Sequence, residues 1–128
     1  MGFDVLFIIL TGGLLLLFIR DLLRTARDGR MAKLTGRERV LTAIVVAGVL
    51  NFLTFMFVGS VLGGDALDGQ THNGHYFLGS HGIYTEVSHA VFVYSACHGY
   101  SALIGMLAAF AAGLEIHHPT WWRAGDKG

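Results

Sequence analysis

Histidine and carboxylate side chains gather in one short stretch of this sequence, between two long apolar segments. The stretch contains His72, His75, His81 and Glu86, and His89 follows at the start of the next apolar segment. The candidate metal ligands are His75, His81, Glu86 and His89. The spacing Glu86-x-x-His89 would put two metal ligands on one face of a helix. Imidazole and carboxylate together suit a transition metal such as Zn, Fe or Cu. These residues are therefore a candidate metal site. The alternative is that the histidines are solvated and that Glu86 only stabilises a helix N-terminus.

His98 lies inside the last of the apolar segments, where an ionisable side chain indicates a functional role by default. Its sequence neighbours Cys97 and Gly99 are small, which leaves room for a flat macrocycle beside the imidazole. His98 is therefore a candidate axial ligand for haem or bacteriochlorophyll. The alternative is a neutral histidine that is hydrogen-bonded to a polar neighbour: Asn51, Thr54 or Ser95.

Three long segments almost free of charge must hold these residues in position. Hydrophobic residues make up 53% of the 128 residues and charged residues only 14%, against about 25% in a soluble domain. No charged side chain occurs from Val40 to Gly64 or from Val87 to Leu114, and Asp4 is the only one before Arg20. A helix of about 20 apolar residues crosses a bilayer. The sequence therefore predicts an integral membrane protein with three spans.

Basic residues are concentrated between the first and second apolar segments. All Lys and Arg residues except Arg123 and Lys127 lie between positions 20 and 39, and none lies between 65 and 86. Short cytoplasmic loops carry such an excess. The pattern predicts that residues 20–39 and the C-terminus are cytoplasmic and that the N-terminus is outside. Because topology explains the basic residues, no nucleic-acid partner is predicted.

Capping signals give the boundaries of the predicted helices. Thr35 followed by Glu38 has the spacing of a capping box at the start of the second helix. Thr85 is a candidate N-cap for the third helix, which Pro119 ends. The resulting helices cover about residues 3–24, 37–62 and 85–118, with an outer connector at 65–84. The predicted fold class is all-α: one membrane domain, residues 1–128, with three transmembrane helices and a structured outer connector.

Small residues recur at every fourth position of the third segment, at Ser101, Gly105, Ala109 and Gly113. Such a ridge lets two helix backbones approach closely. The third helix should therefore pack tightly against another helix, either within the chain or in a partner. Asn51 should also face another helix, because an amide that faces lipid is costly.

The segment GHYFLGSHGIYTEVS, residues 74–88, resembles one found in small uncharacterised bacterial inner-membrane proteins. The sequences FVYS at 92–95 and HGYS at 98–101 extend the likeness. The resemblance implies a bacterial inner (plasma) membrane location and no particular activity. It also implies that the outer connector and the start of the third helix act as one unit.

The function expected from these features is that of a non-catalytic accessory subunit of a larger membrane complex, respiratory or photosynthetic. Neither Gly-x-Ser-x-Gly nor His-Glu-x-x-His occurs, so no catalytic residue is predicted. The expected partners are the lipid bilayer and either a larger complex or a second copy of the chain. The alternative is a membrane protein that binds a cofactor at His98 or a metal at the histidine and glutamate cluster.

Overall fold

A computed structural model describes residues 2–117 of the chain. Three long helices and three strands follow one another, with a short 3-10 helix in the first connector. Their bounds in chain order are α1 Gly2–Arg27, the 3-10 helix Arg30–Lys33, α2 Gly36–Leu62, β1 Asp65–His72, β2 His75–Ser80, β3 Ile83–Val87 and α3 His89–His117. The predicted end of the third helix at 118 and its stop at Pro119 lie outside the described residues.

All three helices are long and apolar enough to cross a membrane, as the sequence predicted. The segments that qualify are Val5–Arg27, Gly36–Leu62 and His89–His117. At 1.5 Å per residue each helix extends about 40 Å, which exceeds a hydrocarbon core of about 30 Å. The second helix begins with the predicted capping box, in which Thr35 and Glu38 bond each other's backbone N–H. Gly63 ends that helix in the left-handed conformation, with φ of 84°.

The predicted all-α fold class is wrong, because residues 65–87 form a three-stranded antiparallel sheet. The strand order is β1–β2–β3, so each strand pairs with its neighbour in the chain. The predicted start of the third helix at Thr85 is wrong for the same reason, since Thr85 lies within β3. Its hydroxyl instead donates a hydrogen bond to the Gly63 carbonyl. The helix begins at His89, and the Ser88 hydroxyl accepts a bond from the Val91 N–H at 3.3 Å.

Two tight turns explain why this polar connector folds into strands. Asn73 and Gly74 have φ values of 50° and 80°, and His81 and Gly82 have values of 51° and 82°. Two consecutive positive φ values define the two-residue turn whose twist matches that of antiparallel strands. Asn-Gly is the sequence signal for such a turn, and β2 and β3 contain most of the aromatic and β-branched residues of the sheet.

A bulge disturbs the start of β1. Asp65 is paired with Gly79 and Gln70 with Phe77, so more residues of β1 than of β2 lie between these two pairs. The Asp65 carboxylate holds the bulge, because its Oδ1 accepts bonds from the N–H groups of Leu67 at 2.9 Å and Asp68 at 3.1 Å. Gly79 is required opposite it, since a Cβ there would overlap the Asp68 carbonyl.

The sheet packs on the first half of α3 and forms a small core there. The backbone N–H of Ala66 donates to the Ser95 hydroxyl at 2.9 Å. The Leu67 side chain packs against Gly99, where a Cβ would lie only 2.9 Å from it. Leu78 of β2 is fully buried. On the same strand, the Tyr76 ring packs against α3. Its centre lies 4.6 Å from the centre of the His89 ring and 5.4 Å from that of the Phe92 ring.

Candidate functional site

The face of the sheet turned away from α3 carries histidine and carboxylate side chains. Phe77 opposes Glu86 and His72 opposes His75, and residues directly opposed across an antiparallel pair project from the same face. His75 and Phe77 are two residues apart on β2, so both pairs lie on this one face. The Nδ1 atom of His75 lies 2.5 Å from Oε1 of Glu86. Both side chains are more than half exposed, at 62% and 58%. This face therefore presents an imidazole and a carboxylate that are already paired.

The predicted metal site at His75, His81, Glu86 and His89 is only partly assembled. His81 lies in the second turn, at the opposite end of β2 from His75, and six strand residues span roughly 20 Å. His89 stacks on Tyr76, which alternation places on the other face of β2. The Glu86-x-x-His89 pair is not helical, because Glu86 belongs to β3. Within residues 2–117, no three His, Cys, Asp or Glu side chains form a group that could hold a metal ion.

His72 is the residue that the sequence reasoning left out of the candidate site. It is the last residue of β1, and the Asn73-Gly74 turn brings it opposite His75. The sequence signal that could have revealed this is the pattern His-Asn-Gly-His, in which a two-residue turn forces its flanking residues into a cross-strand pair. Sequence spacing read as a helix or a loop does not give this pairing.

His98 has partners that differ from those expected. Its Nδ1 lies 3.2 Å from the Tyr94 hydroxyl, one turn earlier on the same helix. The Phe55 ring of α2 meets the imidazole edge-on, with 5.5 Å between the ring centres. The three expected partners are engaged elsewhere: Asn51 with Ser101, Thr54 with the Leu50 carbonyl and Ser95 with Ala66. His98 therefore lies between the Phe55 ring of α2 and the Tyr94 hydroxyl of its own helix.

The ridge of small residues on α3 is directed largely at α2 of the same chain. A Cβ on Gly48 would overlap the Gly105 carbonyl and lie 2.7 Å from the Ala109 Cβ, so the two helices touch at backbone distance here. Ser101 extends the contact by accepting a bond from Asn51 Nδ2 at 3.2 Å. Gly113 differs, since a Cβ there would meet no atom within 4 Å. It lines an apolar groove of about 440 Å³ between α2 and α3.

Strand β3 forms one edge of the sheet, and that edge is open. Ser80 and Ile83 flank a two-residue turn, so they form a hydrogen-bonded pair. Alternation then makes Thr85 and Val87 the next residues bonded to β2. The backbone groups of Tyr84 and Glu86 consequently point toward the open edge. The side chains of Ile83 and Tyr84 are 64% and 48% exposed.

Comparisons with protein-family models, curated proteins and solved structures find no match for this chain.

Proposed function

We propose that this protein is a non-catalytic accessory subunit of a larger membrane complex, and that the open edge of β3 is where the complex docks. The single observation that carries the proposal is the exposed edge strand Ile83–Val87. Proteins normally protect a sheet edge with a bulge, a proline or a lysine, because an open edge recruits other strands. The β1 edge has such a bulge. The β3 edge has none of these devices.

The occupant that fits this edge is an extended segment of a partner protein, added as a fourth strand. Main-chain hydrogen bonds to Tyr84 and Glu86 would supply affinity, and the exposed Ile83 and Tyr84 side chains would supply apolar contact. The sheet carries acidic residues but no Lys or Arg, so a basic partner segment is the complementary choice.

The proposed orientation puts this edge on the outside of the membrane. Residues 20–39, the basic connector, precede α2 and the sheet follows it, so the two lie at opposite ends of that helix. The positive-inside rule assigns the basic connector to the cytoplasm. The partner segment therefore belongs to an outer domain of the complex, in the bacterial inner membrane that the resemblance implies.

The test uses a substitution that blocks only the open edge. Tyr84→Pro removes an N–H directed at the partner and leaves the β2–β3 bonds intact, whereas Tyr84→Val keeps that N–H and a high strand propensity. After purification from native membranes in mild detergent, the wild type and Tyr84→Val should co-isolate a larger protein in fixed stoichiometry. Tyr84→Pro should lose it. A monodisperse lone wild-type chain, or equal retention by both variants, would overturn the proposal.

A further inference from the structure

The tip of the first hairpin combines three features that a metal site needs. His72 and His75 are directly opposed across the Asn73-Gly74 turn, so their imidazoles leave the same face of the sheet. Opposed Cβ atoms in such a pair lie about 5 Å apart. Two imidazole nitrogens can therefore converge on one ion at the usual distance of about 2.0 Å. The turn that brings them together is tight and needs no ligand to form.

The Glu86 carboxylate supplies the second feature, because it fixes the orientation of one ligand. Its Oε1 lies 2.5 Å from Nδ1 of His75, which leaves Nε2 of the same ring free. A histidine that ligates a metal usually donates its other N–H to a carboxylate, which sets the tautomer and raises the ligand's basicity. Glu86 is therefore a positioning residue here, on a strand that only the sheet brings next to the hairpin.

The third feature is access. His75 and Glu86 are each more than half exposed, and His72 is exposed as well. An ion held by two imidazoles has coordination positions left for water, and these face away from α3. Neutral imidazole favours borderline divalent ions such as Zn²⁺ and Cu²⁺ over the oxygen-preferring Mg²⁺ and Ca²⁺.

We infer that His72 and His75 form a two-histidine site for Zn²⁺ or Cu²⁺ at the hairpin tip, with Glu86 orienting His75. This site replaces the helical cluster expected from the sequence: it gains His72, loses His81 and His89, and moves Glu86 from ligand to positioning residue. It shares Glu86 with the docking proposal but uses its side chain on the face of the sheet, whereas docking uses its main chain at the β3 edge. Either one can fail alone.

The first test is a calorimetric titration of the full-length, detergent-solubilised protein with Zn²⁺. The wild type should show an event of one ion per chain that is lost in the double variant His72→Ala, His75→Ala. Glu86→Gln should keep the event but weaken its affinity about 10- to 100-fold, the usual effect of removing a carboxylate behind a metal-bound histidine. The matched control is His81→Ala, which removes another exposed histidine of the same sheet and should leave the titration unchanged.

The second test counts the nitrogen ligands and so separates ligation from a merely structural role. The electron paramagnetic resonance spectrum of the Cu²⁺-loaded protein should show coupling to two imidazole nitrogens. That number should fall to one in His72→Ala and stay at two in Glu86→Gln. A wild type that binds Zn²⁺ no better than the double variant overturns the inference, and so does a His81→Ala variant that loses the event.

Discussion

At the scale of single residues, Asn51 and Ser101 show how an amide is accommodated within a helix long and apolar enough to span a membrane. Asn51 Nδ2 donates to the Ser101 hydroxyl, which in turn donates to the His98 carbonyl at 2.8 Å. The hydroxyl thus uses both its acceptor and its donor capacity. The bond links α2 to α3, whereas the nearby Thr54 hydroxyl bonds only to its own helix at Leu50.

This difference predicts the result of a double-mutant cycle. Asn51→Ala and Ser101→Ala should show a coupling of about 0.6 kcal/mol in the free energy of unfolding, the average for such bonds between membrane helices. Thr54→Ala combined with Ser101→Ala should be additive, because the Thr54 hydroxyl donates its hydrogen bond to Leu50 of its own helix and not to Ser101. Unfolding in mixed micelles measures all the variants. Equal coupling in the two cycles would show that the Asn51 bond does not join the helices.

At the scale of elements, the crossing of α2 and α3 depends on residues that have almost no side chain. Gly48 meets the backbone of Gly105 and the methyl group of Ala109, so packing there is already complete. At the ends of the same helices, the Arg37 guanidinium pairs with the Glu115 carboxylate. Helix α1 joins through another glycine, since the Phe57 ring would lie 3.1 Å from a Cβ on Gly12.

A single added methyl group should therefore have opposite effects at two glycines. Gly48→Ala forces the helices apart and should lower the free energy of unfolding by about 1–3 kcal/mol, the usual cost of overpacking. Gly113→Ala, on the facing helix, meets open space and should be neutral or slightly stabilising, because alanine favours a helix more than glycine does. The same mixed-micelle unfolding assay compares them. A tolerated Gly48→Ala would mean that the crossing is looser than the structure has it.

The sheet is the element that gives the protein its distinctive chemistry. It anchors to α3 through Ala66 and Ser95, and it buries Leu78 completely. Its other face and its β3 edge stay accessible, so one small sheet offers both the histidine pair and the proposed docking strand.

At the scale of the whole molecule, the charged and polar side chains are divided between the two ends of α2. The basic connector, residues 20–39, lies at one end, and the sheet, which has no Lys or Arg, lies at the other. An asymmetry of this kind decides how a membrane protein inserts. In the proposed topology, any partner of the β3 edge and any ion at the hairpin tip would lie on one and the same side of the membrane.

The orientation can be tested with single cysteines, because Cys97 is the only native one. In a Cys97→Ser background, Gln70→Cys places an exposed thiol on the sheet and Lys33→Cys places one in the basic connector. A membrane-impermeant maleimide added to intact cells should label Gln70→Cys and spare Lys33→Cys. Both should be labelled after the membrane is opened. The reverse pattern would invert the topology and move the proposed docking edge to the cytoplasmic side.

The sequence by itself determined the three helices and several of their ends. Long uncharged segments permit few alternatives, and the Thr35–Glu38 capping box is a local signal that needs no distant residue. The small-residue ridge pointed to Gly105 and Ala109, which do meet Gly48, but not to the partner helix and not to the buried Gly99, Ala102 and Ala112 beside it. Composition could not show that α2 of the same chain fills that role, because Gly48 is one glycine among many in the sequence.

Only the tertiary structure decided what the polar connector does. The sequence relates Glu86 to His89 by helical spacing and leaves the other histidines in a connector. Strand register relates residues through the partner strand, so His72 lies opposite His75, and His81 lies at the far end of β2. The position of Glu86 beside His75 depends on a third strand, eleven residues away in the chain. Strand pairing joins residues that are far apart in the chain, and the turns and the packing of the sheet together determine it. Local spacing alone therefore could not assemble this site.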